Sequence, residues 1–174
     1  MVLTLDPGIR GCGIAMWVQS APSYLFKAFY VRSLSKKGNA GPAWQAMARA
    51  VQQKVATLGL LSPKTVVIEI PRVYPAAQQK GDQNDLIPLA GVGGLVCGMF
   101  PVADLVSYYP RDWKGTVDAD AMIERIKKRL SATELNDVHL PIESLAHNVW
   151  DAIGIGLHYF GRLAPIKVFS RGVV

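Results

Sequence analysis

Two apolar patterns alternate along the chain and divide it into predicted strands and helices. Short runs rich in β-branched and aromatic residues, bounded by Gly, Pro or polar clusters, predict strands. The predicted strands are VLTLDP (2–7), GCGIAMWV (11–18), YLFKAFYVRSL (24–34), TVVIEI (65–70) and VADLVSY (102–108). The first three are separated by tight turns and predict an antiparallel meander. The fourth is a continuous apolar run, which is typical of a central strand buried on both faces.

Apolar residues at helical spacing predict four helices between and after these strands. They span residues 43–61, 84–99, 118–130 and 142–163, and Asp118 is the expected N-cap of the third. The segments YPRDWKG (109–115) and TELNDVHLP (133–141) are predicted loops. Strands that alternate with helices after an initial meander predict an α/β fold with a mixed sheet.

Three carboxylates interrupt segments in which the pattern predicts burial. Asp6 ends the first strand, Glu69 lies near the end of the fourth strand, and Asp151 lies within the apolar sequence VWDAIGIGL. Each taken alone has an ordinary explanation, such as a turn residue before Pro-Gly or a solvated helix position. Together they indicate a shared cationic partner, either an arginine or a divalent metal, because a buried unpaired carboxylate costs several kcal/mol. Carboxylate oxygens suit Mg²⁺ or Mn²⁺.

Length and charge narrow the class of protein. The chain has 174 residues, half of them hydrophobic, which predicts one domain over residues 1–174. Its net charge of +6 and pI near 9.4 favour a polyanionic partner such as nucleic acid. Cys12 and Cys97 stand in apolar settings without zinc-ligand spacing, so free thiols are expected in preference to a disulfide.

The hydropathy pattern predicts a cytoplasmic protein without membrane association. The N-terminus lacks a basic region followed by an apolar run. The longest apolar stretch, LIPLAGVGGLVCGMF, is too short and too rich in glycine to span a bilayer. This helix is apolar nearly all round, so most of it is expected in the core, with some contribution to a dimer interface.

Three segments together resemble RuvC-type Holliday junction resolvases, which have an RNase H-like fold. LDPGIRGCGIA is similar to the first motif of that family, in which an Asp-Pro-Gly turn joins two strands. VVIEIPRVY resembles the second motif, a strand that delivers a glutamate, and HNVWDAIGIGLHYF resembles the last, a helix with an Asp-Ala pair. The resemblance covers essentially the whole chain and implies a mixed five-stranded sheet flanked by helices.

The resemblance implies a metal site and its ligands. Asp6, Glu69 and Asp151 match the acidic residues that bind Mg²⁺, for which Mn²⁺ can substitute, with two ions per active site. The family usually has a fourth ligand three residues before the last aspartate, where this chain has Asn148. The neighbouring His147 lies four residues before Asp151 and shares its helix face. His147 is slightly preferred as a ligand or acid/base, against a structural role.

The resemblance also implies residues that contact DNA. Lys114 matches a lysine that could neutralise charge developing on the phosphate. The loop after Glu69 is where such resolvases touch the junction centre. Its candidate contacts, together with those near Lys114, are Arg72, Tyr74, Gln78, Gln79, Lys80 and Arg111. Tyr74 either stacks on an unpaired base or anchors the loop, and a basic residue expected near the next helix is replaced by DADA.

The implied function is resolution of four-way DNA junctions by an Mg²⁺-dependent endonuclease that acts as a homodimer, in a bacterial cytoplasm for a bacterial or phage protein. Two alternatives stay open: another RNase H-like nuclease acting on RNA, RNA–DNA hybrid or branched DNA, or a catalytically weak nucleic-acid-binding module. The phosphate loop of an actin-like or sugar-kinase ATPase also begins with Asp and glycines, but that fold needs two duplicated domains, for which 174 residues are too few.

Overall fold

The computed structural model describes residues 1–33, 40–60, 62–75 and 83–163 and contains one mixed sheet. Along the sheet the strands follow the order β5-β4-β1-β2-β3-β6. Their bounds are β1 (Val2–Pro7), β2 (Gly11–Val18), β3 (Tyr24–Arg32), β4 (Thr65–Glu69), β5 (Asp104–Tyr108) and β6 (Val138–His139). The mixed α/β architecture is as predicted, but the described residues form six strands where five were expected.

The predicted meander is present, since β1, β2 and β3 pair antiparallel. Strand β4 pairs parallel with β1, and β5 pairs parallel with β4. The extra strand, β6, pairs parallel with β3 through Ala28 and Phe29 and lies in a segment predicted as a loop. Two residues cannot show the apolar–polar alternation by which a strand is recognised, which explains the error.

Among the described residues, six α-helices accompany the sheet. They are α1 (Ala40–Thr57), α2 (Leu86–Gly98), α3 (Pro110–Trp113), α4 (Ala119–Lys127), α5 (Ala132–Asn136) and α6 (Ala146–Tyr159). Helices α3 and α5 lie in predicted loops and were missed, because four or five residues complete little more than one turn and show no helical period. The predicted cap of α4 is correct: Asp118 accepts a hydrogen bond from the backbone N–H of Ala121 at 2.9 Å.

The helices cover the sheet on both faces. One core lies between the sheet and α4 and α6 and contains Trp17, Trp113 and Ile153. The other lies against α1 and α2 and contains Leu3 and Met47. Strand β4 contributes to both cores, so its burial on two faces agrees with the prediction from its continuous apolar sequence.

Helix α6 lies unusually close to the centre of the sheet. The Thr4 hydroxyl donates a hydrogen bond to the backbone carbonyl of Ala152 at 2.7 Å. At Gly13 a Cβ atom would overlap the backbone oxygen of Asn148, so only glycine permits this approach. The contact fixes the first half of α6, which carries Asp151, against the ends of β1 and β2.

Both cysteines are free thiols, as predicted; Cys12 is buried and Cys97 is half-buried. Across the described parts of the chain, no helix combines the length and apolar character needed to cross a membrane.

Candidate active site

Two parallel strands place the first two carboxylates at the same end of the sheet, where the carboxyl ends of both strands lie. Leu5 of β1 is paired with Ile68 of β4, so the next residue on each strand, Asp6 and Glu69, lies at the carboxyl end of its strand. Thr4 faces α6, and Asp6 faces the same side because side chains two positions apart in a strand share a face. The geometry therefore directs Asp6 to the face of the sheet that α6 covers.

A helix and a short connection supply the other two charged groups. Asp151 extends from α6, and Lys114 follows α3 immediately after its last residue. The Lys114 Nζ lies 2.8 Å from Asp151 Oδ2 and 3.8 Å from Glu69 Oε2. Gly115 ends this connection with a φ of 60°, in the left-handed region that favours glycine. Four elements distant in sequence thus contribute to one cluster, which we call the carboxylate cluster: Asp6, Glu69, Lys114 and Asp151.

The directions of the pKa shifts reflect burial and the unequal number of carboxyl and ammonium groups in the carboxylate cluster. Burial raises the pKa of Asp6 well above its usual range, and repulsion from Glu69 and Asp151 raises it further, against the attraction of Lys114. Burial also raises the pKa of Glu69, although Lys114 and a hydrogen bond from Trp113 oppose the rise. Burial lowers the pKa of Lys114, but its carboxylate neighbours outweigh that effect and the pKa is raised. One ammonium faces three carboxylates.

Chemically these donors fit a hard divalent cation. Oxygen ligands and excess negative charge are what Mg²⁺ and Mn²⁺ require, and Asp6 gains most from a further cation because Lys114 pairs with the other two carboxylates. Among the described residues, however, no three or more His, Cys, Asp or Glu side chains are arranged so that they could hold a metal ion. The Lys114 ammonium provides the positive charge between Glu69 and Asp151.

The two candidates for a fourth ligand differ in exposure. His147 is exposed on α6, whereas Asn148 is half-buried and its side-chain amide donates a hydrogen bond to the Leu145 carbonyl at 3.4 Å. Neither takes part in the ion pairs and hydrogen bonds of the carboxylate cluster given above. The choice between them stays a prediction.

Trp113 is a site residue that the sequence interpretation missed. Its indole Nε1 donates a hydrogen bond to Glu69 Oε2 at 2.7 Å, and the side chain is 1% exposed. The signal that could have found it is a large apolar side chain inside the polar segment YPRDWKG, beside Lys114. Such a residue indicates that the segment packs on the core.

Arginine and tyrosine side chains stack beside the carboxylate cluster. The Arg72 guanidinium lies over the rings of Tyr109 and Tyr74, at 4.9 Å and 5.9 Å from the ring centroids, and that of Arg111 lies over Tyr74 at 4.4 Å. We call these four residues the tyrosine–arginine stack. It joins the loop after β4 to the connection after β5, and Tyr74 is half-buried within it. This geometry favours the loop-anchor alternative for Tyr74.

The tyrosine–arginine stack borders a groove of about 480 Å³ that reaches Glu69. Arg72, Tyr74 and Arg111 line one part of the groove, and Thr116 and Asp118 line another. The other residues predicted to contact DNA in this region, Gln78, Gln79 and Lys80, lie outside the described residues. The groove brings exposed guanidinium groups next to a carboxylate of the cluster.

Solved structures with a similar fold include the following three. T. thermophilus RuvC in complex with a Holliday junction substrate has a TM-score of 0.63 and 16% identity, covering 91% of this chain and 92% of that one. A second Thermus thermophilus RuvC structure has a TM-score of 0.59 and 19% identity, over 95% and 99%. The yeast mitochondrial Holliday junction resolvase Ydc2 has a TM-score of 0.54 and 11% identity, over 93% and 81%.

These similarities establish the fold, which is the RNase H-like fold of the RuvC structures, as the sequence predicted. Comparison with protein-family models and with curated protein sequences gives no match.

Proposed function

We propose that this protein is a structure-selective endonuclease that resolves four-way DNA junctions by metal-dependent phosphodiester hydrolysis. The observation that carries the proposal is the carboxylate cluster: three acids from β1, β4 and α6 meet one lysine at the edge of the sheet. The +6 charge of the chain suits a nucleic-acid backbone. Known junction resolvases among the proteins of similar fold support this substrate class.

Each residue of the carboxylate cluster has a role in this proposal. Asp6, Glu69 and Asp151 would hold Mg²⁺, or Mn²⁺ in its place, as two ions, with His147 or Asn148 as a further ligand. When bound, the ions would supply an activated water and stabilise the leaving oxygen. Lys114 balances the charge of Glu69 and Asp151 and is placed to neutralise charge on a bound phosphate.

The tyrosine–arginine stack is the proposed contact with the DNA backbone near the branch point. Contact with the rings of Tyr74 and Tyr109 restricts the two guanidinium groups, which reduces the entropy lost when they bind phosphate. Arg72 and Arg111 bind the backbone in this interpretation, and contact of Gln78, Gln79 and Lys80 with phosphates stays a prediction from the sequence.

Replacement of Arg72 and Arg111 by glutamine should weaken junction binding uniformly across sequences. The slope of log Kobs against log salt should fall by about 1 for each phosphate that is no longer neutralised. Fluorescence anisotropy titrations of the junction at a series of salt concentrations measure this slope. Arg49→Gln, an exposed arginine on α1, is the matched control. An unchanged slope in the double variant would contradict the assignment.

We propose a homodimer because a four-way junction has two-fold symmetry and needs two coordinated cuts. Helix α2 offers the surface: contrary to the expectation that most of it lies in the core, only Val92, Gly93 and Val96 are buried among its described residues. Its exposed positions are apolar or small, namely Ile87, Ala90, Gly94, Leu95 and Gly98. Sedimentation of the wild type as a monomer at the concentrations of the cleavage assay would contradict the proposal.

The experiment that tests the function is a substrate comparison with wild-type protein in Mg²⁺ or Mn²⁺. Synthetic four-way junction, flap, linear duplex and RNA–DNA hybrid substrates of matched sequence are compared. We expect symmetric paired nicks in the junction and little cleavage of linear duplex. Preferred cleavage of the hybrid would favour the alternative RNase H-like nuclease, and junction binding without cleavage of any substrate would favour the catalytically weak binding module.

A further inference from the structure

We propose that Trp113 is a positioning residue that holds the Glu69 carboxylate at the carboxylate cluster, where Glu69 can serve as a metal ligand. The inference deepens the proposed function and rests on it, because Glu69 is a metal ligand only under that proposal. Its basis is the hydrogen bond from the Trp113 indole Nε1 to Glu69 Oε2, at 2.7 Å. An indole N–H can only donate, so the direction of this bond is unambiguous.

Close packing around the indole ring of Trp113 restricts its rotamer and therefore the direction of its N–H. Trp113 is 1% exposed and packs against α6, where a Cβ atom at Gly154 would overlap the ring. The same Cβ would lie 2.9 Å from Ile126 Cδ1, so the ring and its neighbours leave no space for a larger residue. A buried ring in a close-packed interior cannot change rotamer without moving α6.

This arrangement joins the positions of two carboxylates. Gly154 lies three residues after Asp151, so the surface of α6 against which Trp113 packs is one turn from that carboxylate. Trp113 therefore contacts Glu69 through its N–H and the helix of Asp151 through its ring. It also carries no charge, so unlike Lys114 it does not compete with a cation for the charge of Glu69. A carboxylate has about four lone-pair sites, and one donor leaves the others for a ligand.

A partner that orients a metal ligand usually contributes about 10- to 100-fold to metal affinity or activity. Trp113→Phe keeps most of the ring and removes the N–H. We expect it to weaken Mn²⁺ binding by about this factor and to lower kcat for junction cleavage, with KM for the junction unchanged. Calorimetric titration of the protein with Mn²⁺ gives the affinity without reference to activity, and the Mn²⁺ concentration for half-maximal cleavage gives a second measure.

Trp17→Phe is the matched control. Trp17 is also buried, and its Nε1 donates a hydrogen bond to Thr4 Oγ1 at 3.0 Å, to a hydroxyl and not to a carboxylate. Both variants lose a buried hydrogen bond and a similar volume, so both should lower the midpoint of thermal unfolding. Only Trp113→Phe should change Mn²⁺ affinity.

Two glycines of α6 give a second matched pair that leaves both indoles in place. Gly154→Ala would push on Trp113, and Gly156→Ala would push on Trp17, since a Cβ at either position overlaps the respective ring. We expect weaker Mn²⁺ binding and reduced Tb³⁺ luminescence sensitised by tryptophan in Gly154→Ala, and wild-type values in Gly156→Ala. This pair keeps the proposal testable if Trp113→Phe fails to fold.

The outcomes separate this inference from the proposed function. If Trp113→Phe and Gly154→Ala bind Mn²⁺ like their controls while the wild type cleaves junctions, the positioning role is wrong and the nuclease proposal stands. If the wild type binds neither Mn²⁺ nor Tb³⁺ and cleaves no branched DNA, both proposals are wrong. Weaker binding confined to the two site variants supports the positioning role.

Discussion

Glu69→Gln should reduce the rate of junction cleavage more than about 100-fold, because loss of even an outer-shell partner of a metal site costs about 10- to 100-fold. Binding of the junction should persist or strengthen, since the substitution removes a negative charge near the phosphate. Paired measurements of single-turnover cleavage and of junction affinity test both halves of the prediction. A variant that still cleaves at the wild-type rate would exclude Glu69 from the active site.

The same substitution should leave the fold intact. The amide oxygen of glutamine can accept the Trp113 hydrogen bond, and Lys114 keeps its 2.8 Å contact with Asp151. Burial and repulsion from Asp151 raise the pKa of Glu69, so its ionised form is disfavoured in the folded chain. A neutral side chain removes that cost, and the midpoint of thermal unfolding at neutral pH should not fall.

Asp104→Asn provides the control for the loss of an acidic side chain. Asp104 is exposed and lies at the opposite end of the same sheet, where it pairs with Thr65 at the start of β4. The Asp104→Asn variant should cleave junctions at the wild-type rate. Asp6→Asn should instead match Glu69→Gln, because Asp6 belongs to the carboxylate cluster.

The carboxylates could be found from the sequence because each one conflicts with its surroundings. Asp6 and Glu69 end apolar strands, and Asp151 interrupts an apolar helix segment. A charge in a segment that is otherwise arranged for burial has a large desolvation cost, so its presence indicates a compensating partner. This argument is local in sequence and needs no knowledge of the tertiary contacts.

Features that depend on tertiary contacts could not be predicted in the same way. Trp113 gains its role only because α6 passes over it at Gly154. The exposure of His147 and the partial burial of Asn148 follow from how α6 lies on Gly13, whereas helical spacing alone permits either to face the cluster. Hydropathy likewise predicted that α2 is mostly in the core, because apolar character does not identify what covers a surface.

Removal of one member of an ion pair outside the carboxylate cluster should have a large effect on the stability of the fold. Glu134 of α5 is buried and accepts two hydrogen bonds from the Arg162 guanidinium, at 2.7 Å and 2.9 Å. It also accepts bonds from the backbone N–H groups of Leu25 and Ser131, at 2.7 Å and 2.9 Å. Arg162 further donates to the carbonyls of Ser23 and Arg129, each at 2.9 Å. The pair thus connects β3, α5 and the end of α6.

Arg162→Met should lower the free energy of unfolding at neutral pH by about 3–5 kcal/mol, the usual cost of removing one member of a buried pair. It leaves the carboxylate of Glu134 buried without its cation and removes the donors to two backbone carbonyls. Denaturant unfolding of the two proteins measures the difference. In Glu124→Gln, which breaks the exposed pair of Glu124 with Lys127, the unfolding midpoint should hardly move.

The pH dependence of this difference identifies the ion pair as its source. Burial opposes ionisation of Glu134, but hydrogen bonds from Arg162, Ser131 and Leu25 lower its pKa from 4.5 to about 2. A lowered folded-state pKa contributes stability that is fully present above pH 4.5 and is lost as the pH falls toward 2. The stability difference between wild type and Arg162→Met should therefore shrink over this range. The Arg162 guanidinium also lies over the Trp17 ring, 5.7 Å from its centroid. If the stability difference stays constant as the pH falls to the Glu134 pKa of about 2, Arg162 acts through this packing and not through its charge.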